Sequence, residues 1–108
     1  MSVNLEGPQF SSNPIARGLN VGVFGKITST SNHKQRVTIT ISATSDCDET
    51  QYLIGQSSLN LEVGEARFLG VSWPIPVGAC LGNYTVLLEV EAKNELVASA
   101  EGVLVVTS

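Results

Sequence analysis

The side chains of this sequence able to do chemistry are few, and most of them crowd into one short run. Residues 45–51, SDCDETQ, set Asp46, Asp48 and Glu49 around Cys47. Carboxylates this close suit a hard cation such as calcium, but calcium takes about six to eight oxygen ligands and three carboxylates fall short. The candidate calcium site at Asp46, Asp48 and Glu49 therefore stands against an acidic solvated loop, and no metal or other cofactor is expected. Cys47 has one partner available, Cys80, because the chain holds two cysteines. A bridge requires Cα atoms within about 7 Å and an oxidising compartment. The alternative is two reduced thiols in a cytoplasmic protein.

Other reactive groups stand apart. His33 is the sole histidine and has no Cys or His cluster around it, which argues against zinc. No Gly-x-Ser-x-Gly nucleophile motif is present. Glu89 and Glu91 share one strand face about 7 Å apart, a glycosidase-like separation, but no cleft is indicated beside them. Asn83-Tyr84-Thr85 matches a glycosylation acceptor, which matters only in a secreted eukaryotic chain. Trp73 and Tyr52, with Phe10 and Phe24, are the aromatic rings on which a sugar or a protein partner could rest. Nothing here converges as catalytic groups must, so an enzyme is not expected.

The bulk properties bound the partners. At 108 residues the chain is expected to form one domain over 1–108, with 1–13 an irregular N-terminal edge segment. The net charge is −4 and the six basic residues are scattered, which speaks against nucleic acid. Lys34 and Arg36 form the only local basic pair, and the end of a solvated hairpin explains them. No run is apolar enough for a membrane-spanning helix, so no membrane insertion is expected. The N-terminus lacks a basic region followed by an apolar one, so it does not read as a signal peptide. The chain is thus either cytoplasmic as it stands or a fragment of an exported protein, extracellular or on the cell surface.

The elements that must position these groups are strands. In residues 84–91, Tyr84, Val86, Leu88 and Val90 point one way and Thr85, Leu87, Glu89 and Glu91 the other, the period of a half-buried strand. Residues 36–43 alternate as cleanly, with Val37, Ile39 and Ile41 inward. Residues 19–28 place Leu19, Val21 and Val23 inward and Phe24 outward. Short runs at 52–54 and 59–63, separated by a turn at 56–58, precede a strand at 65–73 with a bulge expected at Leu69-Gly70. A hairpin turn at 92–95 leads to a final strand, 96–107, with Gly102 bulged. About seven strands at this spacing predict an all-β, antiparallel, immunoglobulin-like two-sheet sandwich. Loops of such a stack alternate between ends, and Cys47 and Cys80 fall at the same one.

Three segments resemble a recurring signature: Leu61-Glu62-Val63-Gly64-Glu65, Val71-Ser72-Trp73-Pro74-Ile75-Pro76, and Gly82-Asn83-Tyr84-Thr85-Val86. They are similar to immunoglobulin-like modules of bacterial and archaeal surface proteins, including the cell-adhesion-related type. Gly18-Leu19-Asn20-Val21, Ile27-Thr28 and Val37-Thr38-Ile39 are similar to the first strand pair of those modules. The resemblance spans about 14–106 and lacks the Cys and Trp spacing of antibody domains. It implies a structural or adhesive role and carries over no catalytic residue. The expected function is a non-catalytic interaction or structural spacer module that meets a protein partner or neighbouring domains. A carbohydrate-binding module that takes a glycan is one alternative. A self-assembling subunit, a homo-oligomer joined through Phe24 and Leu87, is the other.

Overall fold

A computed structural model describes residues 3–108. Met1 and Ser2, which open the expected edge segment, lie outside the described residues. Among the described residues eight strands occur: β1 (Val3–Phe10), β2 (Ile15–Ala16), β3 (Asn20–Ser29), β4 (Gln35–Ser45), β5 (Gln51–Leu61), β6 (Ala66–Pro74), β7 (Gly82–Ala92) and β8 (Glu95–Thr107). They form two sheets, β1-β3-β6 and β2-β8-β7-β4-β5. The architecture is the all-β two-sheet sandwich that the period-two pattern demands. The count exceeds seven because the two-residue β2 pairs with β8, and it does so in parallel. No helix of the structure is long and apolar enough to cross a membrane.

The core lies between the sheets and is built chiefly of aliphatics. Val21, Val23 and Ile27 of β3 face Val37, Ile39 and Ile41 of β4 and Val86, Leu88 and Val90 of β7, all buried. Their branched side chains fit a pleated surface without much loss of rotamer freedom. Gly25 faces inward among them because a Cβ there would stand 3.0 Å from both Leu88 Cδ1 and the Glu6 carbonyl oxygen.

Four local expectations need correction. Leu19, expected inward, precedes β3 and is 54% exposed, and Ile75 and Ala79 fill that end of the core instead. Residues 52–61 form one strand without a turn, since 56–58 pair regularly with β4. The Leu69-Gly70 bulge does not exist, because β3 and β6 pair in unbroken register. Leu69, Val71 and Trp73 face inward, while Phe68 points out. Gly102 is not bulged either: the register shift in β8 falls opposite Val90 and Glu91. A Cβ on Gly102 would meet the Pro8 ring at 3.1 Å, so the glycine admits β1 against β8.

Chain direction sorts the connections into two poles of a body 47 Å long. β1 begins at one pole, beside connections 30–34 and 62–65 and the β7–β8 hairpin. Segments 11–14, 17–19, 46–50 and 75–81 lie at the other, where β8 ends. In the hairpin, Lys93 and Asn94 both have positive φ, 53° and 63°, the signature of a two-residue type I′ turn. Lysine fits that conformation poorly. The double substitution Lys93→Asn, Asn94→Gly should therefore raise stability by about 0.5–1 kcal/mol in denaturant unfolding.

Candidate functional site

The pole opposite the hairpin gathers most of the residues with chemical potential. Two strands, β5 and β6, separate the 46–50 connection from the 75–81 corner, and an even number returns the chain to the same side. Cys47 and Cys80 form a disulfide there, with Cα atoms 6.1 Å apart and a sequence separation of 33. Backbone bonds extend the clamp. Asp46 N donates to Asn83 O at 3.0 Å, and Ser45 N to Thr50 O at 2.9 Å. Cys47 N donates to Ser45 Oγ at 3.1 Å. The neighbouring segment 17–19 is tied in as well, since Gly18 N donates to Ile75 O and Ile75 N to Leu19 O.

Beneath these loops three aromatic rings plug the sandwich. Trp73 and Tyr84 are buried, and Tyr52 is half-buried. Ring centroids lie 5.6 Å apart for Tyr52–Trp73, 5.8 Å for Trp73–Tyr84 and 6.3 Å for Tyr52–Tyr84, within the range of favourable tilted aromatic contacts. The Tyr84 hydroxyl donates to Cys80 O at 2.6 Å, which fixes the corner to β7. Trp73 thus serves packing and turns no face to a ligand, and Tyr52 leans on it.

Burial pushes the Tyr84 phenol above its ordinary value of 10.0. The ionised form is disfavoured in the folded chain. Tyr84's contribution to stability is therefore complete below the ordinary tyrosine value and is lost as pH climbs through the raised one. Tyr84→Phe should cost about 1–2 kcal/mol at neutral pH, because the Cys80 carbonyl loses its donor. The variant should also show a smaller decline in Tm at alkaline pH than the parent. Both effects are read from thermal unfolding across pH.

The acidic residues of this pole do not gather. Asp48 Oδ1 accepts from Thr50 N at 3.0 Å, and that bond holds its carboxyl below the ordinary aspartate value. Glu49 sits at φ 60°, as befits the tight turn. Among the described residues no group of three or more His, Cys, Asp or Glu is placed to hold a metal ion. Asp46, Asp48 and Glu49 instead lie exposed along one turn. Other connections of the same pole carry exposed apolar side chains which sequence periodicity had assigned to the core or left unremarked: Val77 at 80% exposure, Leu19 at 54% and Leu81 at 42%.

The remaining candidates are dispersed. Phe24 and Leu87 lie on the outer faces of different sheets, so they cannot form one patch. Leu87 is half-buried between its cross-strand neighbours Ser42 and Glu101. The Phe24 ring rests on the backbone of Gly22 and Gly70, where added Cβ atoms would stand 2.6 Å and 3.2 Å from it, and the residue is 45% exposed. Phe68, overlooked because the alternation was phased wrongly through Leu69-Gly70, is 84% exposed, with Lys26 Nζ 5.7 Å from its ring centroid. His33 contacts Asn32 Oδ1 at 3.0 Å on an exposed turn. It borders an open cleft of about 700 Å³ at the hairpin pole, lined by Lys34, Arg36, Glu91, Lys93 and Glu95 among others. Both signs of charge line that cleft. Glu89 and Glu91 stay on the outer face of β7, opposite Thr40 and Thr38.

The fold and this clamped pole define a β-sandwich module, and comparison with solved structures agrees. A β-glucosidase from Erythrobacter marinus contains a region similar to this chain, with TM-score 0.79 and 11% identity, covering 98% of this chain and 15% of that one. The sporulation control protein Spo0M of Bacillus subtilis matches with TM-score 0.71 and 12% identity over 100% of this chain and 50% of its own. The CARDB domain of a Pyrococcus furiosus protein, solved in complex with di-metal ions, matches with TM-score 0.70 and 14% identity over 98% and 86%. The chain spans half or less of the first two of these proteins. At such identities the likeness is one of fold. No protein-family model matches the sequence, and no curated protein matches it.

Proposed function

We propose that the chain is a non-catalytic interaction or spacer module of the immunoglobulin-like, surface-protein type, and that the disulfide-clamped pole is where it meets a protein partner or a neighbouring domain. The observation that carries this is the set of exposed apolar side chains, Val77, Leu19 and Leu81, on loops held by the Cys47–Cys80 bridge. Loops fixed by a scaffold lose little freedom on binding, so less of their contact energy is cancelled by ordering. Exposed apolar side chains on the same pole as a charged turn suit a protein contact. The Tyr84–Cys80 bond supports the immunoglobulin-like type, whose sandwiches use a tyrosine near the start of the penultimate strand in this way. The likeness to the CARDB domain supports it too. The disulfide favours an oxidising location, outside the cytoplasm.

The test compares the parent with a Val77→Glu, Leu81→Glu variant as baits for proteins of the source cells, with fold checked by circular dichroism. A partner held by the parent and released by the variant supports the assignment. A partner held equally by both moves the contact elsewhere, and turnover of a chromogenic ester, glycoside or phosphate would overturn the non-catalytic role. A second reading, glycan binding, is favoured by one observation: the Phe24 ring lies flat over glycines, with Glu6, Gln9 and Lys26 beside it. A glycan array tests that reading, with Phe24→Ala as the control.

A further inference from the structure

We infer that β5 is a pairing edge for a second copy of this chain, joined antiparallel about a twofold axis near Gln56 and Ser57. This rests on reading the chain as an interaction module and names one partner for it. β5 is hydrogen-bonded to β4 on one side and, among the described residues, has no sheet neighbour on the other. Exposed strand edges are normally blunted by charge, proline, brevity or a bulge. The other edges here carry such devices. β1 holds Glu6, Pro8 and a register shift, β2 has two residues, and β6 holds Arg67 and ends on Pro74. β5 is eleven residues long, QYLIGQSSLNL, without a charge or a proline. Its one register shift, opposite Ile41 and Ser42, leaves residues 55–61 regularly paired with β4.

Beside this edge the sandwich is notched. Ile41, Gly55, Ser57, Leu59, Phe68 and Val71 are among the residues lining a groove of about 230 Å³ between β5 and β6. An edge with free backbone groups next to an apolar groove is what an added strand uses.

Three features select a second copy as the occupant. First, antiparallel self-pairing of residues 52–61 about that axis sets only uncharged side chains opposite one another, in a chain of net charge −4. Second, it brings the acidic 46–49 turn of each copy to the end of β5 that carries Lys34 and Arg36 in its partner. Glu62 is already paired there with Lys34 at 3.4 Å, and Arg36 has no ion pair among the described residues. Third, the exposed Phe68 lines the same groove as Gly55, Gln56 and Ser57, beside the axis, so both copies bury it together. The flank offers about 600 Å² per copy, from roughly 36 Å of strand and a body 17 Å thick. That is below the standard of about 800 Å² per partner, so the pair is weak and forms with rising concentration.

Sedimentation equilibrium of the intact chain, from micromolar to millimolar, tests this. The parent should pass from monomer to dimer. Ser57→Lys puts a charge on the edge, and Phe68→Ser removes the buried ring. Both positions are exposed in the monomer, so both variants should fold, and each should raise the dissociation constant at least about tenfold. Val103→Ser, at an exposed position of β8, three strands away from β5 in the sheet, should leave it unchanged. A parent that stays monomeric at every concentration overturns the pairing while leaving the module assignment intact. A dimer indifferent to both edge variants, or one broken by Val103→Ser, also overturns it.

Discussion

Replacing Trp73 with alanine should lower stability by about 3–5 kcal/mol, the usual cost of emptying a large aromatic site in a core. The ring is 5% exposed and is wedged between Tyr52 and Tyr84. Neither neighbour is free to collapse into the space. Tyr84 is held by its bond to Cys80 O, and Tyr52 by its place in β5, paired with Ala43. The cavity therefore persists, and the cost belongs at the upper part of that range. Trp73→Phe keeps most of the apolar contact and should cost less than half as much. Urea unfolding followed by circular dichroism measures both. In the parent, the sole tryptophan should emit at short wavelength and shift red on unfolding. A loss below about 1.5 kcal/mol for Trp73→Ala would show the pole to be loosely packed.

Removing the bridge with Cys47→Ser, Cys80→Ser should cost about 3–4 kcal/mol by the loop-closure account, for a sequence separation of 33 residues. For a domain of this size that lowers Tm by roughly 15 °C. Reducing the parent should reproduce the effect, and denatured, unreduced protein should show no free thiol. Because the bridge and the aromatic plug share the Cys80–Tyr84 corner, the Trp73→Ala and double-serine losses should not add. A combined variant losing less than the sum would show one cooperative unit at this pole.

How much of this was legible depends on where side chains meet only solvent and core. β4 and β7 were plain because each residue faces one or the other, so hydrophobicity alternates along them. Both cysteines were expected at one pole, and it is the continuity of β5 that leaves an even number of strands between them. β5 was misread as two pieces because Gly55-Gln56-Ser57-Ser58 has turn composition. On an edge strand those residues cost little, since their outward side faces water and their backbone still pairs with β4. The pairing of Phe24 with Gly22 and Gly70 was illegible for a different cause. A ring laid over another strand's glycine removes the need for a side chain there, and the period breaks without any break in the strand. Once Gly70 is seen as the floor under Phe24, the phase counted back from Trp73 turns Phe68 outward. The apolar tips Val77 and Leu81 gave no signal, because a corner outside regular strands has no periodicity to violate.

The opposed poles at which β1 enters and β8 leaves carry one last implication. A pull along the 47 Å axis runs parallel to the strands, so the rungs joining β1 to β3 and β8 to β7 are loaded in shear, and many must yield together. A molecule unzipped from one corner would surrender them singly at far lower force. Traction applied at residues 3 and 107 should therefore meet a mechanical clamp, and an atomic force microscope would register it as one tall rupture peak per molecule.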